Sequence, residues 1–143
     1  MSIRSLRQTV KRHLPQPIKS MLIALKYKGV QLPDAELYRA RLKGQIGLEI
    51  GGPSTLFATE LPIYQVVQGL DGVNFSGSTI WEGDLKAGNT YRFHGWKTGR
   101  QFLADATDLS RIDSASYDFL LSSNCLEHVA NPLKAMKEWV RVV

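Results

Sequence analysis

Cysteine occurs once in the 143 residues, at Cys125, so no internal disulfide can form, and no Cys/His cluster has the spacing of a zinc site. A reducing, cytoplasmic setting is the expectation. No apolar run reaches the roughly 18 to 20 residues needed to cross a bilayer, and the basic start lacks a signal-peptide core with a small-residue cleavage site. Neither membrane spanning nor secretion is expected. Acids are scarce at one end: residues 1–44 hold ten Lys/Arg against Asp34 and Glu36 alone, whereas residues 45–143 hold eight Lys/Arg against eleven acids. Halves of opposite sign suggest two roles. Aromatics are sparse among those basic residues, only Tyr27 and Tyr38, which gives little purchase for stacking bases and argues against nucleic acid as a partner.

What is present is the composition of one globular domain, 43% hydrophobic and 22% charged, in a chain long enough for a single core. In the first 44 residues the spacing is helical. Ile3, Leu6, Val10 and Leu14 recur every three to four positions until Pro15 and Pro17, and residues 17–29 read as a second helix closed by Gly29. A third is expected over 33–44, with Asp34 capping its first amides, Arg41 and Lys43 at its negative end and Gly44 closing it. This basic arm suits peripheral contact with a membrane surface or polyanion, a lid over a substrate site, or a solvated face packed on the main domain.

From residue 45 the pattern changes to short apolar runs bounded by turn residues. "QIGLEI", "LDGVNFSG", "RQFLADATDL" and "YDFLLSS" read as four strands, and "NPLKAMKEWVRVV" as a helix with Asn131 as its cap, Pro132 in its first turn, and Leu133, Met136 and Val140 on one face. Strands alternating with helices predict an α/β fold with a doubly wound parallel sheet. The connection from about 76 to 99 is long and carries Trp81, Tyr91, Phe93, His94 and Trp96, which suits an insertion or hairpin beside the site, or packing at the sheet edge.

In an open parallel sheet, ligands bind beyond the carboxyl ends of the strands. At the first such end Gly51 and Gly52 supply a tight turn, while Glu49 brings a carboxylate that suits a ligand carrying a cation better than a pyrophosphate. Pro53 has no N–H, leaving Gly52 and Ser54 as the amide donors. Asp71 and Asn74 follow Gly51 by 20 and 23 residues, where a second strand end offers an acceptor to a ribose diol. At the third end Asp105, followed by Ala106, can accept from an exocyclic adenine amine. "SSNCLEHVANP" after the fourth supplies Ser122 and Asn124, and His128 is a candidate base because imidazole titrates near neutrality. Glu127 suits a cap or a polar contact, and Cys125 a small buried hydrophobe.

Taken together, "GLEIGGPS", "ADATDL" and "YDFLLSSNCLEHVANPLKAMKEWVRV" resemble the class I S-adenosylmethionine-dependent methyltransferases that carry a Leu-Glu-His-Val segment after the fourth strand. The likeness covers residues 45–143. It implies a Rossmann-like sheet, S-adenosyl-L-methionine as cofactor, Glu49, Gly51 and Gly52 at its methionine end, Asp71 or Asn74 on the ribose, and Asp105 with Ala106 at the adenine. The family has seven strands, so a chain ending at Val143 is expected to be an incomplete fragment with four strands in the order 3-2-1-4 and the fourth as an open edge. The acceptor implied is a small molecule or glycan-like compound. The competing reading is a non-catalytic interaction module that keeps half the fold. The missing G-x-G-x-x-G disfavours a nicotinamide oxidoreductase.

Overall fold

The computed structural model describes residues 32–79 and 83–143. The helices expected over 3–14 and 17–29, and Trp81, lie outside the described residues. Helix α1, Ala35–Leu42, is the third expected helix, but Asp34 does not cap it: its backbone is left-handed (φ 63°) and its side chain makes no capping bond. Gly44, also left-handed (φ 78°), closes the segment as expected.

The main sheet contains β1 (Ile46–Ile50), β2 (Gly69–Asn74), β5 (Gly88–His94), β6 (Lys97–Leu103) and β7 (Phe119–Ser122), in the order β5-β6-β2-β1-β7. The four expected strands are β1, β2, β6 and β7, in the expected 3-2-1-4 order and all parallel. The fifth is new. The aromatic segment before β6 turns back as β5, antiparallel to β6 on the sheet's outer side. A two-stranded ribbon, β3 (Ser78–Thr79) with β4 (Gly83–Asp84), stands apart from the main sheet.

Alternation along each strand splits the core in two. Leu48, Ile50 and Val73 face Leu109, Ile112 and Val142 on one side. Leu70, Phe119 and Leu121 face Phe57, Ile63, Tyr64, Tyr91 and Phe93 on the other. That second side is covered by the short helix α2 (Thr55–Ala58), a 3-10 turn at Ile63–Gln65, and the aromatic side chains of β5.

Helix α3, Pro132–Val142, begins as its sequence dictates: Asn131 Oδ1 accepts from Lys134 N at 3.0 Å, with Pro132 in the first turn. Its packing does not follow the expected apolar stripe. Ala135 and Val142 are buried and Trp139 packs beside them on the sheet, a spacing of four and three that makes its own face. Leu133, Met136 and Val140 are left 78%, 48% and 76% exposed. Val140 joins Leu120, Trp139 and Val143 around an apolar depression of about 340 Å³ beside β7, which within the described residues pairs only with β1. No helix among the described residues is long and apolar enough to cross a membrane.

Candidate active site at the strand ends

Because β1, β2, β6 and β7 are parallel, their carboxyl ends share one edge of the sheet. The register sets Ile50 beside Val73 and Ser122, and Asn74 beside Leu103. The turn after Ile50, Asn74 itself, the Ala104–Ala106 segment and the loop after Ser122 are therefore neighbours along that edge, with β1 and β6 about 10 Å apart at two strand spacings.

The first turn needs both of its glycines, for different reasons. Gly51 is left-handed (φ 76°) and a Cβ on it would lie 3.0 Å from Cys125. Gly52 sits on the carboxylate: a Cβ there would fall 2.2 Å from Glu49 Cδ, and the Gly52–Pro53 peptide is cis. Glu49 does not project into the crevice as expected. It is wholly buried (0% exposed), because alternation along β1 turns it away from the face of Leu48 and Ile50 to the one that Tyr64 and Tyr91 cover. Tyr64 Oη donates within 2.7 Å of Oε2 and 2.9 Å of Oε1, Tyr91 Oη donates to Oε2 at 2.6 Å, and Ser54 N donates to Oε1 at 3.0 Å. The Ser54 amide also lies 2.6 Å from Tyr64 Oη, so it is engaged inside the protein and not held out as a donor to ligand. Burial first, then the Glu49 charge and hydrogen bond, push the Tyr64 hydroxyl well above the usual tyrosine range.

At the second strand end the two candidates separate. Asp71 is mid-strand, opposite Leu48, and its oxygens accept from Arg100 N at 2.7 Å and Tyr117 Oη at 2.8 Å. It is a structural carboxylate, removed from the strand-end edge. Asn74 is the last residue of β2, and its Nδ2 donates to Gly52 O at 3.0 Å, fastening the second strand end to the glycine turn.

Asp105 stands exposed just past β6, with Oδ1 accepting from Thr107 N at 2.8 Å. The Thr107 amide and hydroxyl hold its carboxyl below the usual range, so it is anionic at neutral pH. Ala106 presents its carbonyl to Trp139 Nε1 at 3.0 Å, which ties this loop to α3. After β7, Ser122 is half-buried and Asn124 exposed and left-handed (φ 52°). His128 ends a 3-10 turn, Leu126–His128, with both it and Glu127 exposed. Cys125 packs against the core below Gly51, where burial pushes its thiol up.

Two residues that organise the site carry no signature in sequence. Tyr64 lies in an unremarkable stretch, and Tyr91 is marked only by the unusual aromatic content of its segment. No group of three or more metal-ligating side chains occurs among the described residues.

A family profile described as a methyltransferase domain matches residues 50–143, more than half of the chain. No curated protein matches. A solved structure from Anabaena variabilis ATCC 29413, described as a "Putative methyltransferase from antibiotic biosynthesis pathway", is similar at 17% identity and a TM-score of 0.46 over 79% of this chain, which spans 43% of that one. With the profile running from the end of β1 through every strand end of the site, the chain belongs to the methyltransferase domain family.

Proposed function

We propose that this chain binds S-adenosyl-L-methionine across the strand ends and serves a methyltransferase acting on a small-molecule or glycan-like acceptor. One observation carries the reading: the glycine turn, Asn74 and Asp105 lie in that order along a single edge of the sheet. In this reading Gly51 and Gly52 give the backbone close approach to the amino-acid end. Asn74 offers Oδ1 to a ribose hydroxyl while Nδ2 stays on Gly52, and Asp105 accepts from the adenine amine with Ala106 beside it. Those three places fit the cofactor; Glu49, enclosed by two phenols, supports it from beneath.

The cofactor supplies an electrophilic methyl on a sulfonium, so the protein's task is alignment and exclusion of water. Ser122 and Asn124 bound the crevice on the β7 side. His128, exposed on the same loop, suits removal of a proton from a hydroxyl or amine acceptor. The surplus of basic residues before residue 45 supports peripheral contact with an anionic surface.

Titration with S-adenosylhomocysteine by calorimetry tests the reading. Saturable binding in the micromolar range, lost in Asp105→Ala, is expected. The exposed stripe of Leu133, Met136 and Val140, near an edge strand that among the described residues has β1 alone as neighbour, favours the second reading, an interaction module. Absence of heat at millimolar ligand would leave that second reading in place of the first.

A further inference from the structure

The glycine turn is held in part from outside the nucleotide-binding strands. From β5, the outer strand beside β6, the side chain of Tyr91, 1% exposed, extends across the face of the sheet and brings its hydroxyl to the carboxylate beneath the turn. Its ring covers Gly72, where a Cβ would lie 2.1 Å from the ring, and its hydroxyl lies so close under Gly52 that a Cβ there would fall 2.3 Å away. Phe93, also on β5, fills the space between Tyr91 and Tyr64, with ring centroids 6.3 and 5.8 Å away. A short relay results: the β5–β6 hairpin, the Tyr91 hydroxyl, the Glu49 carboxylate, the Ser54 amide, and so the backbone of the turn.

We propose that Tyr91 is a positioning residue for the glycine turn, its hydroxyl fixing the Glu49 carboxylate so that Ser54 N–H and the backbone of residues 51–54 keep the shape that receives ligand. Hydrogen bonds to an ionised acceptor away from water are short and strong, and a carboxylate short of donors rotates to find others. Tyr64 reaches both oxygens, so removing the Tyr91 hydroxyl loosens the turn without opening the core. The consequence for ligand affinity rests on the cofactor reading above; the consequence for the turn's rigidity does not.

Tyr91→Phe keeps the ring and deletes only the hydroxyl. Amide exchange by NMR should show Ser54 exchanging about tenfold faster in the variant, with Leu48 in the middle of β1 unchanged, and S-adenosylhomocysteine binding about tenfold weaker. In a Glu49→Ala background, where no acceptor remains at that position, the same substitution should change Ser54 exchange less than it does in the wild type, because part of its effect passes through the carboxylate. Unchanged Ser54 exchange, or Ser54 and Leu48 accelerated by the same factor, would overturn the positioning role, the latter because it marks general destabilisation. A wild-type protein that binds no S-adenosylhomocysteine would sink the cofactor reading, while the exchange data still decide on Tyr91.

Discussion

Tyr91 Oη donates to Glu49 Oε2 at 2.6 Å across 42 positions of sequence, joining an inserted hairpin to the turn that ends the first strand. That contact explains the second glycine of the Gly51–Gly52 pair, since the carboxylate and the phenol together fill the space a side chain at 52 would need.

The pair should therefore respond to alanine by different mechanisms. Gly52→Ala forces a methyl into Glu49 and Tyr91 and should cost about 1–3 kcal/mol as overpacking. Gly51→Ala keeps a milder contact with Cys125 and loses about 1–2 kcal/mol to the left-handed backbone. Urea denaturation of both variants checks the prediction, and in a double-mutant cycle Gly52→Ala should cost less in a Glu49→Ala background than in the wild type, because the side chain that the methyl meets is gone. Equal costs in the two backgrounds would mean that the carboxylate is not what the added methyl meets.

Asp71 and Asn74 should divide stability from binding. Asp71→Ala leaves the Arg100 amide and the Tyr117 hydroxyl without an acceptor and should cost about 1–3 kcal/mol with affinity for S-adenosylhomocysteine held within about twofold. Asn74→Ala should weaken that affinity by about tenfold or more, because it removes both the proposed ribose acceptor and the bond to Gly52. Calorimetry beside chemical denaturation separates the two, and an affinity loss confined to Asp71→Ala would reverse the assignment.

The four parallel strands are legible because buried strands of a parallel sheet read as short apolar runs between turn residues, whereas their order is implied only by the resemblance to the methyltransferase family. It leaves Asp71 and Asn74 level, since spacing from Gly51 suits either; only the strand's end at Asn74 separates them. The burial of Glu49 is illegible for another reason: its donors come from positions 54, 64 and 91, gathered by tertiary packing alone. The α3 stripe misleads because helical spacing identifies an apolar face without identifying what lies opposite. Trp139 and Val142 pack into the core beside the sheet instead, with Ala135 buried on the same helix face.

Cys125 should be a slow thiol. Burial raises it above its ordinary value of 9.0, more than the Ser122 hydrogen bond lowers it, so little thiolate is present near neutrality. Iodoacetamide should label it at pH 7.5 several-fold more slowly than a free thiol, with the rate still climbing above pH 9, and urea should abolish the difference. For stability the sign is that of an acid whose folded value is raised: its contribution is complete below the unfolded value and is lost as pH rises through the folded one. Labelling at the free-thiol rate in the folded protein would contradict the burial.

The acid limb of stability should run through α3. Glu138 accepts from Arg141 Nε at 3.0 Å, Arg141 Nη2 at 2.9 Å and Leu109 N at 2.9 Å, while Arg141 donates onward to the Leu109 and Ile112 carbonyls. These bonds fasten the last turn of α3 to the segment that follows Asp105. The Arg141 hydrogen bond holds Glu138 below its ordinary 4.5, and turn amides and hydroxyls hold Asp105 and Asp108 below theirs. A depressed folded value contributes stability that is complete above the unfolded value and disappears as pH falls through the folded one. The Tm should therefore be level from neutral pH to about 5 and fall below about 4.5. Glu138→Gln should lower the Tm at neutral pH and flatten that fall, because the variant has no proton to gain at this position. Arg141→Lys should lower it further, since an ammonium cannot reproduce the planar fork that meets the carboxylate and two carbonyls at once. The pairs are solvent-facing, so added salt should shrink the neutral-pH difference between wild type and Glu138→Gln. A wild-type acid slope no steeper than that of Glu138→Gln in calorimetric scans would show that α3 is held by its packing and that the Glu138–Arg141 contact is incidental.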